Sequence, residues 1–148
     1  MKRALIIFCI LFCSVCSVSA QDVTIYTSPH SFKTTISKIY YSIDKNGLKY
    51  LETSEYDTKI DYLQGRKANI KLVTFTSDEV IKLAACEPIA MLDMPLKILI
   101  WEEQGDTFIA CTNAINYKRR YKITSCVEVL SDINKSLIRI INDAIRIH

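Results

Sequence analysis

Apolar and polar residues along this chain change their spacing repeatedly, and each change marks an element. In "DVTIYTSP", Val23 and Ile25 alternate with Thr24 and Tyr26, the two-residue period of a half-buried strand, and Pro29 ends it. "SFKTTISKIYYSIDKNG" shifts to helical spacing. Phe32, Ile36, Ile39 and Ile43 fall on one face, Ser31 stands at the N-cap, and Asn46-Gly47 stops the helix. "LKYLETSEY" predicts a second strand and "IKLVTF", Ile70 to Phe75, a third. The polar stretch between them, Asp57 to Asn69, carries Gly65 and predicts a loop or a short irregular helix.

"SDEVIKLAAC" reads as a short helix with Thr76 and Glu79 as a capping box. Pro88 and Pro95 remove backbone donors on either side of Ile89–Met94, so that stretch predicts an apolar connector, neither helix nor strand. "LKILIWEE" and "TFIACTN" predict a hairpin around Gln104-Gly105. Ser125 and Glu128 form a second capping box, which opens a long helix burying Leu130, Ile133, Leu137, Ile140, Ile141 and Ala144. Strands joined directly, with helices at both ends of the run, predict an α+β fold of about five strands with the helices packed on one sheet face. The alternation predicts an opposite face that is half polar and open to water or a partner.

The N-terminus is a different kind of sequence. Lys2 and Arg3 precede an uncharged apolar run from Ala4 to Val15, and Val18-Ser19-Ala20 supplies small residues where a signal peptidase reads. The run is well short of the roughly 20 residues that span a bilayer. The expectation is a signal peptide, 1–20, removed on export to the periplasm or outside, and one domain, 21–148. No other stretch is apolar enough for a transmembrane segment. Loss of Lys2 and Arg3 takes the formal net charge from +3 to +1, which speaks against general electrostatic binding of nucleic acid.

Cysteine usage changes too, because Cys9, Cys13 and Cys16 fall in the signal segment. Cys86, Cys111 and Cys126 remain, enough for one disulfide in an oxidising compartment. Cys111 on the hairpin and Cys126 at the start of the last helix are the pair considered, bondable only if their Cα atoms lie within about 7 Å. All three as small buried hydrophobes is the other reading. No pair has metal-ligand spacing, no C-x-x-C is present, and the sequence names no cofactor.

"SPHSFKTTISKIYYSIDKNGL", "LVTF", "LDMPLKILIWEE" and "YKRRYKI" together resemble the bacterial family called DUF302, over nearly all of Val23 to Ile145. The most specific piece is Asp93-x-Pro95-Leu96-Lys97 running into the strand with Trp101-Glu102. The resemblance implies a TATA-binding-protein-like fold, β-α-β(4)-α, here with one short extra helix before the fourth strand. That likeness is architectural and implies no DNA binding. It also implies a set of polar positions. An Asp-His pair of the family falls at Glu55-Tyr56, a Gly-Asn-Pro turn at Thr76-Ser77-Asp78, a Tyr-Asn-Asp-Pro run at Cys111 to Ala114, and an Arg-His pair at Arg120-Tyr121. Tyrosine therefore stands in both histidine places, while the arginine is kept.

Ligand-binding candidates from this comparison are Tyr56, Asn113, Arg120 and Tyr121. Histidine could bind metal or haem or relay protons near neutral pH, whereas tyrosine does neither easily. His30 reads as a capping or surface residue. No Ser-His-Asp or Cys-His set, phosphate loop or dinucleotide fingerprint is present, and the chain has three glycines. Glu102, Glu103 and Asp106 read as a solvated hairpin tip, and Lys118, Arg119, Arg120 and Lys122 as a basic surface loop. The favoured function is a non-enzymatic exported domain that binds a small ligand or a protein partner, a homodimer among the options. One alternative is a haem-, metal- or redox-associated periplasmic protein drawing on Tyr56, Tyr121 and the thiols. The other is a small hydrolase or isomerase using Glu55 and Asp57.

Overall fold

The computed structural model of the chain describes residues 22–57 and 69–147. The expected signal segment and the interior of the Asp57–Asn69 loop lie outside the described residues. Strand β1 (Val23–Ser28) leads into helix α1 (Phe32–Lys45), then β2 (Lys49–Asp57) and β3 (Asn69–Thr76). Helix α2 (Asp78–Cys86), a 3-10 helix (Pro88–Asp93), β4 (Leu96–Glu103) and β5 (Asp106–Thr112) follow. A second 3-10 turn (Ala114–Asn116), the single-turn helix α3 (Tyr117–Arg120) and helix α4 (Val127–Ile145) complete it. The strands form one antiparallel sheet in the order β1-β5-β4-β3-β2. This is the predicted α+β arrangement, including the extra helix before the fourth strand.

Successive strand residues point to opposite faces, and burial separates the two faces sharply. Val73, Phe75, Ile98, Ile100 and Ile109 are fully buried and share one face. Against them stand Ile36, Ile39 and Ile43 of α1 and Leu130, Ile133, Leu137, Ile140, Ile141 and Ala144 of α4. These are the positions that helical spacing assigned to the buried side. The other sheet face mixes apolar and polar residues, as alternation had predicted, with Thr27, Ser54, Thr74, Lys97 and Thr112 among its polar members. Its centre is apolar, and Val23 and Ile25 point outward on it at 40% and 55% exposure. The alternation was real, but it does not say which of two faces a helix will cover.

The ends of α1 form as expected. Ser31 Oγ accepts from the Thr34 N–H. At the other end Gly47 adopts a φ of +67°, while Gly47 N–H and Leu48 N–H donate to the carbonyls of Asp44 and Ile43 at 2.9 and 3.0 Å. This is a Schellman motif, and it brings Leu48 back toward Ile43. His30 and Lys38 tie the start of α1 to the end of α4, both donating to the Arg146 carbonyl. In the β4–β5 hairpin Gln104 and Gly105 both have positive φ, 55° and 93°, as a type I′ turn requires.

Neither capping box forms. Helix α2 is capped by Ser77, not Thr76, and the Ser77 side chain makes no cap bond. Helix α4 starts after Cys126, and Ser125 Oγ donates instead to Glu87 Oε1 at 2.6 Å. The apolar connector is also more ordered than the two prolines implied. Pro88 opens a 3-10 helix at a position where its missing N–H leaves no bond unmade, and the Met94–Pro95 peptide is cis.

The disulfide joins Cys86 to Cys126, with Cα atoms 6.7 Å apart. The Cys111–Cys126 pairing is therefore corrected. Cys111 sits on the helix-facing side of β5 opposite Ile98, inside the core, whereas Cys126 precedes α4 and meets the end of α2. Burial pushes the Cys111 thiol up to about 11. Thiolate is the reactive form, so Cys111 should resist alkylation near neutral pH in the folded protein and react once it unfolds. Cys86 and Cys126 should react only after reduction, as peptide mass mapping would read.

The buried Ser77 Oγ has no hydrogen-bond partner among the described residues. A Ser→Ala change at an N-cap usually costs about 0.5–2 kcal/mol. Here no cap bond is lost and an unsatisfied hydroxyl is removed, so Ser77→Ala should leave the urea-unfolding free energy unchanged or raise it.

Candidate functional site

The uncovered sheet face carries three cross-strand rows. One runs Ile25, Ala110, Leu99, Leu72, Ser54, and a second runs Thr27, Phe108, Trp101, Ile70, Tyr56. Trp101 and Phe108 stack in the second row with centroids 5.2 Å apart. The third row pairs Val23 with Thr112, and Lys97 with Thr74 and Glu52. Ala110 is the smallest side chain at the centre of the face, flanked by Ile25 and Leu99, so the surface dips there. The dip opens a cavity of about 230 Å³ toward the third row, lined by Val23, Leu72, Leu99, Ala110, Lys97 and Asp93 among others. Its floor is hydrocarbon. Lys97 stands at its rim, exposed, with no ion pair or hydrogen bond among the described residues.

Beside this cavity a polar cluster closes the end of the sheet. Arg120 extends one guanidinium nitrogen to Asp93 Oδ2 and the other to Asp22 Oδ2. Tyr121 donates its hydroxyl to the same Asp93 oxygen at 2.8 Å, and Arg119 reaches Asp22 Oδ1 at 3.1 Å. Below them Tyr117 is buried, its hydroxyl 3.0 Å from Thr112 Oγ1, with the Arg120 guanidinium 5.7 Å from its ring centroid. The contacts with Asp93 and then Asp22 raise the pKa of Arg120 above even its usual value, so its charge is permanent. Burial raises Tyr117 and Tyr121, and the hydrogen bond to Asp93 raises Tyr121 further.

Of the four candidates, Arg120 and Tyr121 meet directly on Asp93. Asn113 is close, but its groups are committed to structure. Its N–H donates to the Asp22 carbonyl, and its Oδ1 accepts from Ile115 N–H. Tyr56 does not join them. It lies on the opposite edge strand, beside Ile70, four residues along β2 from the row that holds Lys97, or about 13 Å along the strand. Glu55 pairs with Lys71. Of the residues that complete the cluster, Asp93 enters the sequence reading only as part of the family signature and Asp22 not at all, because no local spacing links them to Arg120, 27 and 98 positions away. Lys97 and Ala110 were passed over as ordinary strand residues. No group of three His, Cys, Asp or Glu side chains among the described residues is placed to hold a metal ion.

A single antiparallel five-stranded sheet with helices on one face and a polar-edged hollow on the other defines a small α+β domain of ferredoxin-like or TATA-binding-protein-like arrangement. The sequence comparison makes it specific: residues 24–144 match the family described as "Domain of unknown function DUF302", and the chain belongs to that family. Among solved structures it is similar to the uncharacterized conserved protein DUF302 from Bacillus stearothermophilus. The two share 16% identity over 86% of this chain and 100% of that one, with a TM-score of 0.74. At that identity the likeness shows the fold. No curated protein matches. No helix among the described residues is long and apolar enough to cross a membrane.

The raised tyrosines set a pH expectation. Folded Tyr117 and Tyr121 hold their protons more tightly than unfolded tyrosine near 10. Their contribution is thus complete below about pH 10 and is lost as pH rises through the folded values. Denaturant midpoints measured between neutral and strongly alkaline pH should fall above about 10, and Tyr121→Phe should show a smaller fall.

Proposed function

We propose that this DUF302 domain is an exported, non-enzymatic binding protein whose ligand is a compact amphipathic anion seated on the uncovered sheet face. The observation that carries the reading is the hollow over Ala110, hydrocarbon below and bordered by the free Lys97 ammonium. Small-molecule sites combine an apolar lining with a few placed polar groups. A lysine with no protein partner offers a compact charge to a carboxylate or phosphate. The nearby Asp93 carboxylate is held by Arg120 and Tyr121, so its charge is largely offset toward an incoming anion. At about 230 Å³, the hollow is smaller than the roughly 300–1,000 Å³ of drug-sized sites. It suits a short-chain acid, or the end of a longer one.

Export is supported by the signal-like segment at residues 1–20 and by the Cys86–Cys126 disulfide, a bond that persists in oxidising compartments. Intact-mass measurement of protein recovered from the periplasm or medium should give a chain starting at Gln21.

Thermal-shift titration with short aliphatic and aromatic carboxylates, each beside its neutral amide, tests the ligand class. The acids should stabilise the protein, by about 2.7 kcal/mol at 100 times Kd, and the amides far less. Ala110→Leu fills the hollow without touching the helix-covered core and should abolish the shift. Lys97→Met should remove the preference for acid over amide. Equal stabilisation by acid and amide, or turnover of an added ligand by the purified protein, would sink the reading.

A further inference from the structure

A second recess lies on the helix side of the molecule, where the end of α1 meets the edge strand β2, remote from the hollow over Ala110. It has a volume of about 460 Å³ and is lined by Tyr40, Ile43, Asp44, Leu48 and Tyr50. Its construction follows from the helix cap. The Schellman motif at Asn46-Gly47-Leu48 brings Leu48 against Ile43, making an apolar floor. Tyr40, one turn earlier on α1, and Tyr50, two residues into β2, rise from that floor as walls. Their rings stand 5.6 Å apart at 89°.

Both rings are fixed by one threonine hydroxyl. The Tyr40 hydroxyl lies 2.7 Å from Thr53 Oγ1, and the Tyr50 hydroxyl donates to the same atom at 3.2 Å. The hydroxyls are thereby occupied, and the rings line the recess with their carbon framework. Asp44 supplies the only charge among the lining residues, and its carboxylate has no hydrogen-bond or ion-pair partner among the described residues. The neighbouring Lys45 does not fill the recess, since its ammonium lies over the Tyr41 ring, 6.0 Å from the centroid.

The geometry points to a binding site for a small methylated or quaternary ammonium cation, held by the faces of Tyr40 and Tyr50 and the Asp44 carboxylate. Aromatic rings attract a cation through their quadrupole. A quaternary ammonium has no N–H to satisfy, so it suits a recess whose hydroxyls are already bonded. The volume falls within the range of small-molecule sites. The ligand charge is opposite to that proposed for the sheet-face hollow, and the two sites share no residue, so either can fail alone.

The test is an NMR titration of the full protein with choline and, separately, with 3,3-dimethylbutan-1-ol, its uncharged isostere, at matched ionic strength. Choline should shift the Tyr40 and Tyr50 ring resonances and leave those of Ala110 and Lys97 unmoved. The isostere should bind about 2- to 30-fold more weakly. Asp44→Asn and Tyr50→Ala should each weaken choline binding, while Tyr40→Phe, which keeps the ring, should retain it. Tyr50 is 47% exposed on an edge strand, and its variant is checked for folding by its unperturbed core methyl resonances. Equal binding of choline and the isostere, shifts confined to other regions, or an unchanged affinity in Asp44→Asn overturns the assignment.

Discussion

Ile98 and Ile100 of β4 have no exposed surface, and they lie on the central strand beneath α1 and α4. Burial of these two residues in the same core as Ile39, Ile133 and Leu137 sets which face of the sheet is inside. Truncating a fully buried isoleucine to alanine costs about 2–5 kcal/mol, a large share of a small domain's stability. Once that face is fixed, every other strand residue must point to the opposite side. Val23, Leu72, Leu99 and Ala110 are displayed outward because their immediate neighbours are needed within. The hollow is a by-product of the packing opposite it, shaped by one small residue in a row of larger ones.

The polar cluster beside the hollow works on a different physical scale. Asp22, Asp93, Arg120 and Tyr121 come from the lead-in to β1, the 3-10 helix before β4, the last residue of α3 and the residue that caps it. Their charges are partly exposed, so the cluster adds less to stability than to geometry. The planar fork of Arg120 spans two carboxylates at once, which a lysine at that position could not match. Tyr117 lies beneath it as a buried support bonded to Thr112. Asp93, which lines the hollow, is bonded to both Arg120 and Tyr121.

Much of the fold was legible in the chain because its signals are local. The helical period of α4 assigned all six of its buried positions, and Ser31, Asn46-Gly47 and Gln104-Gly105 each carry turn or cap chemistry within a few residues. The site was less legible because its contacts are distant in sequence. Asp93 looked like scaffolding in "LDMPLKILIWEE" until folding brought Arg120 and Tyr121 to it. Tyr56 was grouped with them through a family pattern, yet the strand order puts it at the far edge. The cap assignments failed for a related reason. Ser125 had the right spacing for a capping box, but Glu87, 38 positions away, claims its hydroxyl. Cysteine pairing fails in the same manner, since counting thiols does not say which one the core encloses.

The Cys86–Cys126 bond, with a sequence separation of 40 residues, has a topological effect beyond the two helix ends it joins. Asp93, Lys97, Leu99, Ala110, Tyr117, Arg120 and Tyr121 all lie between the two cysteines. Most of the hollow's lining and of its polar rim therefore belongs to one covalently closed ring, which includes the exposed Gln104-Gly105 turn. A protease that cut this turn would open the ring without releasing either half. Both arms of the hairpin would remain tethered through sulfur, with β4 still paired to β3 and β5 to β1. In a compartment rich in proteases, such a ring lets this exposed hairpin survive a nick in one piece.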